Sequence, residues 1–309
     1  MTLRSFAATD PGSWAHLLDR ARTLDDVGID RLVVSDHVVF GEHLDAYADP
    51  AVGGRAGGKQ PTGPDGHWLE PLTVLATVAG ATTRIRLGTS ILIAALRRPV
   101  VLAKTVATLD VVSDGRVDLG VGVGWQREEY EAAGLPFEGR GRLLDHTLEV
   151  CTALWTDTRA SYTSEELSFD GIHAMPKPRQ PGGVPIWVSG RSTNRLVRER
   201  VARFGAGWIP WGDDADDVAT GLARIREAMA AAGRNDDPLQ VAGTLPVVRD
   251  GSGAVDLAAT MDGVGPLVEA GVTDFRVQVP LPDDESAVAD VLEPLVVAFH
   301  RTTGRPGRS

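Results

Sequence analysis

The sequence predicts an α/β fold, specifically a (β/α)8 TIM barrel formed by one domain over residues 1–309. Short apolar runs alternate with longer amphipathic stretches, and eight such pairs can be counted along the chain. Eight strands that are each followed by a helix close into a barrel. Polar, glycine-rich or aromatic residues follow nearly every apolar run, as the active-site face of a barrel requires. A doubly wound sheet is the alternative architecture.

The predicted strands are rich in Val, Ile and Leu, which is typical of a parallel sheet buried on both faces. In chain order they cover residues 4–8, 31–35, 85–92, 117–122, 185–189, 207–210, 240–247 and 274–279. The first helix is expected after Asp10 and Pro11, which suit a helix start, and it stops at Gly28. The later helices are expected from Glu70 to residue 83, from Pro99, over 140–155, after Ser192, after Asp214, after Leu257, and from 285 to about 303.

Two segments interrupt the alternation of strands and helices, and they are predicted as insertions, one after strand 2 and one before strand 5. Residues 37–67 are rich in glycine and proline, and a segment of that length in a compact domain is usually functional or disordered. Residues 159–183 precede strand 5, and within them residues 162–169 can form an extra hairpin before a proline-rich run. Neither segment has the composition of a domain linker, so a single domain is retained.

Charge and cysteine content exclude several classes of protein. With 42 acidic residues against 31 basic ones the net charge is -11, which disfavours nucleic acid and anionic membrane surfaces as partners. Cys151 is the single cysteine, so no intrachain disulfide framework can form, and we expect it to be buried and inert. No apolar run is long enough to span a bilayer or to resemble a signal peptide. A cytoplasmic location is expected.

Two strand ends carry residues suited to chemistry. Asp36 and His37 end the second strand, where barrel side chains point into the cavity mouth, and imidazole can donate or accept a proton near neutral pH. The alternative is a histidine that only caps the strand. Gly190, Arg191 and Ser192 follow the fifth strand and open a helix, a place suited to a phosphate, although Ser192 can also serve as a plain helix cap.

Glycines and tryptophans complete the candidate site. Gly122 and Gly124 end the fourth strand without forming a dinucleotide fingerprint, and they allow a ligand to approach the backbone closely. Trp68, Trp125 and Trp211 are candidates for a substrate pocket, with a core position as the equal alternative, whereas Trp208 is expected in the core. Glu128 is expected to project over the site. The spacing of Asp36, His37, Glu42 and His43 is too loose for a metal site, so none is predicted.

A series of motifs follows these elements in order over about residues 28–212. They are Ser35-Asp-His37, Trp68-Leu-Glu-Pro71, Ile85-Arg-Leu-Gly-Thr-Ser-Ile-Leu92, Arg98-Pro-Val-Val-Leu-Ala-Lys104, Ser113 to Trp125, Pro176-Lys-Pro178, Pro185 to Ser192 and Gly205-Ala-Gly-Trp208. In this order they resemble the luciferase-like monooxygenase superfamily, and within it the oxidoreductases that use the deazaflavin coenzyme F420.

The resemblance implies a cofactor and roles for several residues. The cofactor would be coenzyme F420, with FMN as the alternative. Asp36 would make polar contacts with its ring and His37 would face the reacting side, while Ser90 and Ile91 would form a bulge behind the ring, often with a non-prolyl cis peptide. The phosphate of the cofactor would lie at Gly190–Ser192.

Several functions therefore stay open. The leading one is hydride transfer between F420 and a small organic substrate, and the alternative is an FMN-dependent monooxygenase that uses reduced flavin and O2. A phosphate-binding barrel isomerase or aldolase, and a non-enzymatic flavin-binding homologue, are further alternatives; an aldolase is disfavoured because no lysine lies at a predicted strand end. Expected partners are a second copy of the chain in a homodimer and a flavin or F420 reductase that supplies reduced cofactor.

Overall fold

Strands and helices alternate along residues 1–282 and 284–304, the part of the chain described by this computed structural model. The strands are β1 (Phe6–Ala7), β2 (Arg31–Val34), β3 (His67–Trp68), β4 (Arg86–Thr89), β5 (Val117–Val121), β6 (Ala160–Thr163), β7 (Ser168–Ile172), β8 (Ile186–Gly190), β9 (Gly205–Pro210), β10 (Gln240–Leu245) and β11 (Asp274–Val277). The helices are α1 (His16–Asp26), α2 (Pro71–Ala81), α3 (Pro99–Val112), α4 (Arg127–Ala132), α5 (Arg140–Thr156), α6 (Arg195–Phe204), α7 (Val218–Ala231), α8 (Leu257–Asp262), α9 (Val264–Glu269) and α10 (Glu285–Thr303).

A seven-stranded parallel sheet forms the centre of the described residues. Its strand order is β2-β4-β5-β8-β9-β10-β11, so each new strand joins the same side of the sheet. This order confirms the α/β fold and argues against the doubly wound alternative, whose strand order reverses at a switch point. Because the strands are parallel, their carboxyl ends meet on one face, and that face collects the predicted site residues.

The prediction that residues 4–8 form the first barrel strand is wrong. Phe6 and Ala7 form β1, which pairs antiparallel with β3 outside the parallel sheet. The parallel contact is made earlier in the chain, where Thr2 forms a bridge to Val33. The reason is the aromatic pair between Phe6 and Trp68, whose rings stack 4.2 Å apart and draw this segment towards β3.

The third predicted strand, residues 85–92, is shorter than expected. β4 ends at Thr89, and the peptide bond between Ser90 and Ile91 is cis. Leu92 then makes one isolated parallel bridge to Val121, and a short 3-10 turn follows at Ala94–Leu96. The remaining predicted strands and helices are present, with ends that differ by a few residues.

The two interrupting segments have little regular structure. Residues 37–66 contain a short 3-10 turn, Leu44–Ala48, before β3 begins at His67. The hairpin expected within residues 159–183 is present, because β6 and β7 pair antiparallel. The first segment matters most for function, since it lies over the carboxyl ends of the strands and contacts the candidate site.

The core confirms two expectations about single residues. Trp208 is 0% exposed, and its indole nitrogen donates to the Gly190 carbonyl at 3.0 Å. Cys151 is also 0% exposed, and burial raises the pKa of its thiol, so the group is uncharged and unreactive.

Within the described ranges, no helix combines the length and apolar character needed to cross a membrane.

Candidate active site

A cavity of about 1250 Å³ extends from the amino ends of the strands, where Arg31 and Asp274 line it, to their carboxyl ends, where His37 and Arg191 do. Residues after five different strands contribute to its wall, among them His37, Ile91, Trp125, Arg191 and Trp211. Ligand pockets usually enclose roughly 300 to 1000 Å³, and this cavity exceeds that range because it spans both ends of the strands.

His37 lies in this cavity between one carboxylate and one amide. Its Nδ1 atom is 3.3 Å from Glu129 Oε1, and its Nε2 atom is 3.0 Å from Gln60 Nε2. The same Glu129 oxygen accepts a hydrogen bond of 2.8 Å from the backbone amide of Val38. Glu129 thus fixes both the backbone and the ring at the end of β2.

These partners define which nitrogen of the ring carries the hydrogen. An amide nitrogen only donates, so His37 Nε2 accepts from Gln60, and Nδ1 carries the hydrogen that is donated to Glu129. With this orientation of the Gln60 amide, the accepting nitrogen of the ring lies on the Gln60 side. A substrate hydroxyl that displaced the Gln60 amide would meet a proton acceptor.

Glu129 is the functional residue that sequence reasoning missed. Glu128, its neighbour, was expected over the site, but its side chain packs beside Gly41 and is not part of the cavity wall. The Glu129 side chain is completely buried, and its Oε2 atom has no hydrogen-bond partner. Successive residues of a helix point in different directions. The sequence does not show how α4 is rotated about its axis, so it could not tell which of the two adjacent glutamates points towards His37.

Asp36 borders the cavity, but its carboxylate holds the loop after β4. Oδ2 accepts from the amide of Ile93 at 2.8 Å, and Arg97 donates to both carboxylate oxygens. Burial disfavours the charge of Arg97, yet the hydrogen bonds and charge of Asp36 outweigh it and raise the pKa of Arg97 above its ordinary value. A polar contact between Asp36 and a cofactor ring stays a prediction.

The floor of the cavity is formed by the ends of β4 and β5. Ser90 and Ile91 both line it, and the Ser90 hydroxyl accepts from Arg276 Nη1 at 2.8 Å. A Cβ atom on Gly122 would lie 2.9 Å from Ile91 Cδ1, and one on Gly124 would lie 3.1 Å from Ile93 Cδ1. A side chain at Gly122 would require the end of Ile91 to shift, and at Gly124 the positive φ of 67° independently favours glycine, so neither glycine needs a ligand to account for it.

The residues after β8 are arranged differently from a simple helix start. α6 begins at Arg195, capped by Asn194, and not at Ser192. Ser192 is fully buried, and its amide and hydroxyl both donate to Asp214. Gly190 and Arg191 line the cavity, whereas Ser192 does not. A phosphate at this position would therefore meet Arg191 rather than the Ser192 donors.

Arginine side chains border the same part of the cavity at the start of α5. Arg140 and Arg142 line it together with Arg191. Arg140 is largely buried, burial lowers its pKa, and its Nε atom has no hydrogen-bond partner. The sequence signal was present in the run Gly139-Arg-Gly-Arg142 at the start of the predicted helix 140–155, but no phosphate role was assigned to it.

These cationic groups also contact the long segment after β2. Arg191 donates to the carbonyls of Pro50 and Gly54 at 3.3 and 3.1 Å, and Arg140 donates to the Val52 carbonyl at 2.7 Å. Trp211 adds hydrogen bonds of 3.2 Å to the carbonyls of Gly53 and Gly54. Three side chains from separate elements therefore hold residues 50–54 over the cavity.

The three tryptophans expected in a pocket all line the cavity: Trp68, Trp125 and Trp211. Trp125 is 6% exposed and Trp68 is half-buried, with its indole nitrogen bonded to Thr62 at 2.9 Å.

Across the described part of the chain, no three His, Cys, Asp or Glu side chains gather in a way that could hold a metal ion.

A parallel α/β scaffold with a cavity that reaches the carboxyl ends of its strands, bordered there by a histidine and by arginines, has the arrangement in which barrel enzymes carry their active sites. The family model described as luciferase-like monooxygenase matches residues 1–264. The chain belongs to this luciferase-like family.

Relatives and a solved structure agree with this assignment. An uncharacterized protein of Mycobacterium tuberculosis is 34% identical over 223 residues, which cover 72% of this chain and 74% of the relative. An F420-dependent glucose-6-phosphate dehydrogenase of Kineococcus radiotolerans is 30% identical over 226 residues, covering 71% of this chain and 60% of the relative. A monooxygenase from Streptomyces bottropensis superposes with a TM-score of 0.72 at 20% identity, over 97% of this chain and 98% of the other.

Proposed function

We propose that the protein is an oxidoreductase that transfers a hydride between coenzyme F420 and a small organic substrate. The observation that carries the proposal is the position of His37 on the cavity wall, where Nδ1 contacts Glu129 and where Nε2 would accept a proton from a substrate that displaces the Gln60 amide. The similarity to F420-dependent glucose-6-phosphate dehydrogenases supports F420 as the cofactor. The scaffold would be a (β/α)8 barrel whose eighth strand position is occupied by the segment around Thr2.

The residues present fit such a cofactor. Arg191 and Arg140 both line the cavity and both contact residues 50–54, so they can bind a phosphate there, and the half-buried Arg140 has an unpartnered Nε atom. Ser90 and Ile91 form a floor for the ring system. When bound, a deazaflavin supplies a ring carbon that accepts or donates a hydride.

The chain itself provides orientation and proton transfer. His37 Nε2 would accept the hydroxyl proton of an alcohol, or return it to a carbonyl oxygen in the reverse direction. Glu129 would hold the ring and stabilise the imidazolium that forms when Nε2 takes up the proton. Trp68 and Trp125 would exclude water from this end of the cavity.

An FMN-dependent monooxygenase is the second candidate, because the structural neighbour from Streptomyces bottropensis is a monooxygenase. It would require reduced flavin, O2 and a reductase partner. A non-enzymatic flavin-binding homologue would retain the arginines that line the cavity but would not turn over any substrate.

A homodimer and a cytoplasmic location stay predictions. The exposed face of α3 presents Val101 and Val112, which are 64% and 62% exposed. Apart from Lys104, this exposed face carries no charge, and it would suit contact with a second copy.

Titration of the purified protein with coenzyme F420 and with FMN is expected to give tighter binding of F420. The reason is the similarity of the chain to F420-dependent enzymes. Fluorescence of each cofactor measures binding directly and needs no substrate. Tight binding of FMN without binding of F420 would replace this proposal by the monooxygenase.

Replacement of Arg191 by alanine is expected to weaken cofactor binding by about 1 to 3 kcal/mol, because a charge-assisted hydrogen bond to the phosphate is lost. Arg195→Ala is the matched control, since Arg195 is exposed and pairs with Glu199 on α6. Both dissociation constants follow from the same titration. Equal affinities of the two variants would place the phosphate elsewhere.

A further inference from the structure

Five charged side chains form a continuous series along the cavity side of the sheet. Arg31 and Arg86, the first residues of β2 and β4, donate to the same oxygen of Asp118 at 2.8 and 2.7 Å. Arg31 also donates to Asp274 on β11, and Arg276 Nε donates to the other oxygen of Asp274 at 3.3 Å. We call these five residues the ion-pair series. It runs from the amino ends of the strands towards the floor of the cavity.

The last member of the series contacts a hydroxyl group on that floor. Arg276 Nη1 donates to the Ser90 hydroxyl oxygen at 2.8 Å. A guanidinium has donors and no acceptor, so the serine oxygen is the acceptor and its own hydrogen points elsewhere. Within residues 1–282 and 284–304, no carbonyl or carboxylate accepts this hydrogen. Because Ser90 lines the cavity, its hydrogen is left for a ligand.

The hydroxyl of the preceding residue shows a structural role, and it differs from Ser90 on two counts. Thr89 is 3% exposed, and its hydroxyl donates to the Gly120 carbonyl at 2.6 Å. The Thr89 hydrogen is therefore used within the sheet. Ser90 is half-buried on the cavity wall, and its hydrogen has no such acceptor.

The charge of Arg276 is compensated only in part within the ion-pair series. Three guanidinium groups share two carboxylates, and Asp274 contacts both Arg31 and Arg276. Burial lowers the pKa of Arg276 and Asp274 opposes the shift, yet the guanidinium keeps its proton because arginine is not deprotonated in proteins. A hydrogen bond accepted from a cation polarises the Ser90 hydroxyl and makes it a stronger donor.

We propose that Ser90 donates a hydrogen bond to an acceptor atom of the bound deazaflavin ring, that Arg276 is the positioning residue that orients this donor, and that the pair favours the reduced ring over the oxidised one. This inference rests on the proposed function and deepens it. A hydride carries one negative charge, so a ring that has received it and has not yet taken up a proton is one charge more negative than the oxidised ring. A hydrogen bond to a charged acceptor is stronger than one to a neutral acceptor, so the donor binds the reduced form better.

The test measures the ratio of two dissociation constants, that of oxidised F420 divided by that of reduced F420. Anaerobic titrations give both values without substrate or turnover, and the signal is tryptophan fluorescence, since Trp68 and Trp125 line the cavity. Ser90→Ala is expected to lower this ratio about five- to tenfold, the difference between a hydrogen bond to a charged acceptor and one to a neutral acceptor. An unchanged ratio overturns the inference.

Ser5→Ala is the matched control for this variant. Ser5 is 0% exposed, its hydroxyl has no hydrogen-bond partner, and it is no part of the cavity wall. The same atom is therefore removed from another buried serine, and the ratio is expected to stay at the wild-type value. A ratio that falls equally in both variants overturns the inference, because a general loosening of the structure would then explain the effect.

A double variant shows whether Arg276 acts through Ser90. Arg276→Met is expected to lower the ratio to a similar extent, and its combination with Ser90→Ala is expected to lower it no further than Ser90→Ala alone. Two effects that multiply would overturn the positioning role. Arg86→Met is the matched control, because Arg86 pairs with Asp118 at the other end of the ion-pair series. If Arg276→Met does not fold, Ser90→Ala still decides whether the donor exists.

The same titrations separate this inference from the cofactor proposal. Binding of F420 with a ratio that Ser90→Ala does not change overturns the inference and leaves the proposed function intact. Binding of FMN without binding of F420 overturns the proposed function, and the ratio for oxidised and reduced FMN then decides the role of Ser90, because a flavin ring accepts the same hydride. Binding of neither cofactor overturns both.

Discussion

Replacement of His37 by asparagine is expected to lower kcat by roughly 10² to 10⁴ with near-native cofactor affinity, because a proton-transfer group is lost while a polar side chain remains. In the structure the Gln60 amide contacts Nε2 of the His37 ring, and the Glu129 carboxylate contacts Nδ1. Asparagine has no group that titrates near neutral pH, so the pH dependence of kcat attributable to the histidine should disappear as well.

Steady-state kinetics with an alcohol or ketone that the protein turns over with F420, together with a cofactor titration, measure both quantities. His16→Asn is the matched control, because His16 is exposed on α1 and distant from the cavity wall. Full activity of His37→Asn with an unchanged pH profile would reduce His37 to a structural residue at the end of β2. Loss of cofactor binding alone would assign it to the binding site.

Replacement of Arg97 by methionine is expected to lower the free energy of unfolding by about 3 to 5 kcal/mol, the usual cost of leaving one member of a buried ion pair without its partner. The Asp36 side chain is completely buried, and Arg97 donates to both of its carboxylate oxygens. After the substitution, only the amide of Ile93 remains as a donor to that carboxylate among the hydrogen bonds described.

Urea unfolding followed by circular dichroism measures this loss. Arg98→Met is the matched control, because the neighbouring Arg98 is exposed at the start of α3. The double variant Asp36→Leu with Arg97→Met is expected to recover part of the loss, since no charge is then left unpaired. A change below about 1 kcal/mol in Arg97→Met, the size of a surface ion pair, would show that water replaces the arginine.

Local sequence patterns were sufficient to predict most of the fold. Periodicity located most strands and helices, and the rule that active-site residues follow barrel strands placed His37 at the cavity, whereas the sequence left pocket and core as equal alternatives for the three tryptophans that line it. The first strand was misplaced because Phe6 stacks on Trp68, 62 residues later in the chain. Such a pairing leaves no periodic signal near residue 6.

The site was predicted less completely because its partners are distant in sequence. Glu129 lies 92 residues from His37 and Arg97 lies 61 residues from Asp36. Their contacts depend on the tertiary fold, so a sequence window that contains one partner contains no information about the other. For Asp36, the pattern identified a strand-end carboxylate but could not distinguish a ligand contact from an ion pair.

The hydrogen bonds to residues 50–54 have a consequence for the kinetics of ligand exchange. Arg191 donates to Pro50 and Gly54 with the same guanidinium that faces the proposed phosphate position. An incoming phosphate therefore competes with backbone carbonyls, and the free energy of breaking those contacts is subtracted from its affinity. Association would then be slower than diffusion allows, because productive capture waits for local opening of this segment. Inorganic phosphate alone should accelerate amide hydrogen exchange at residues 51–54.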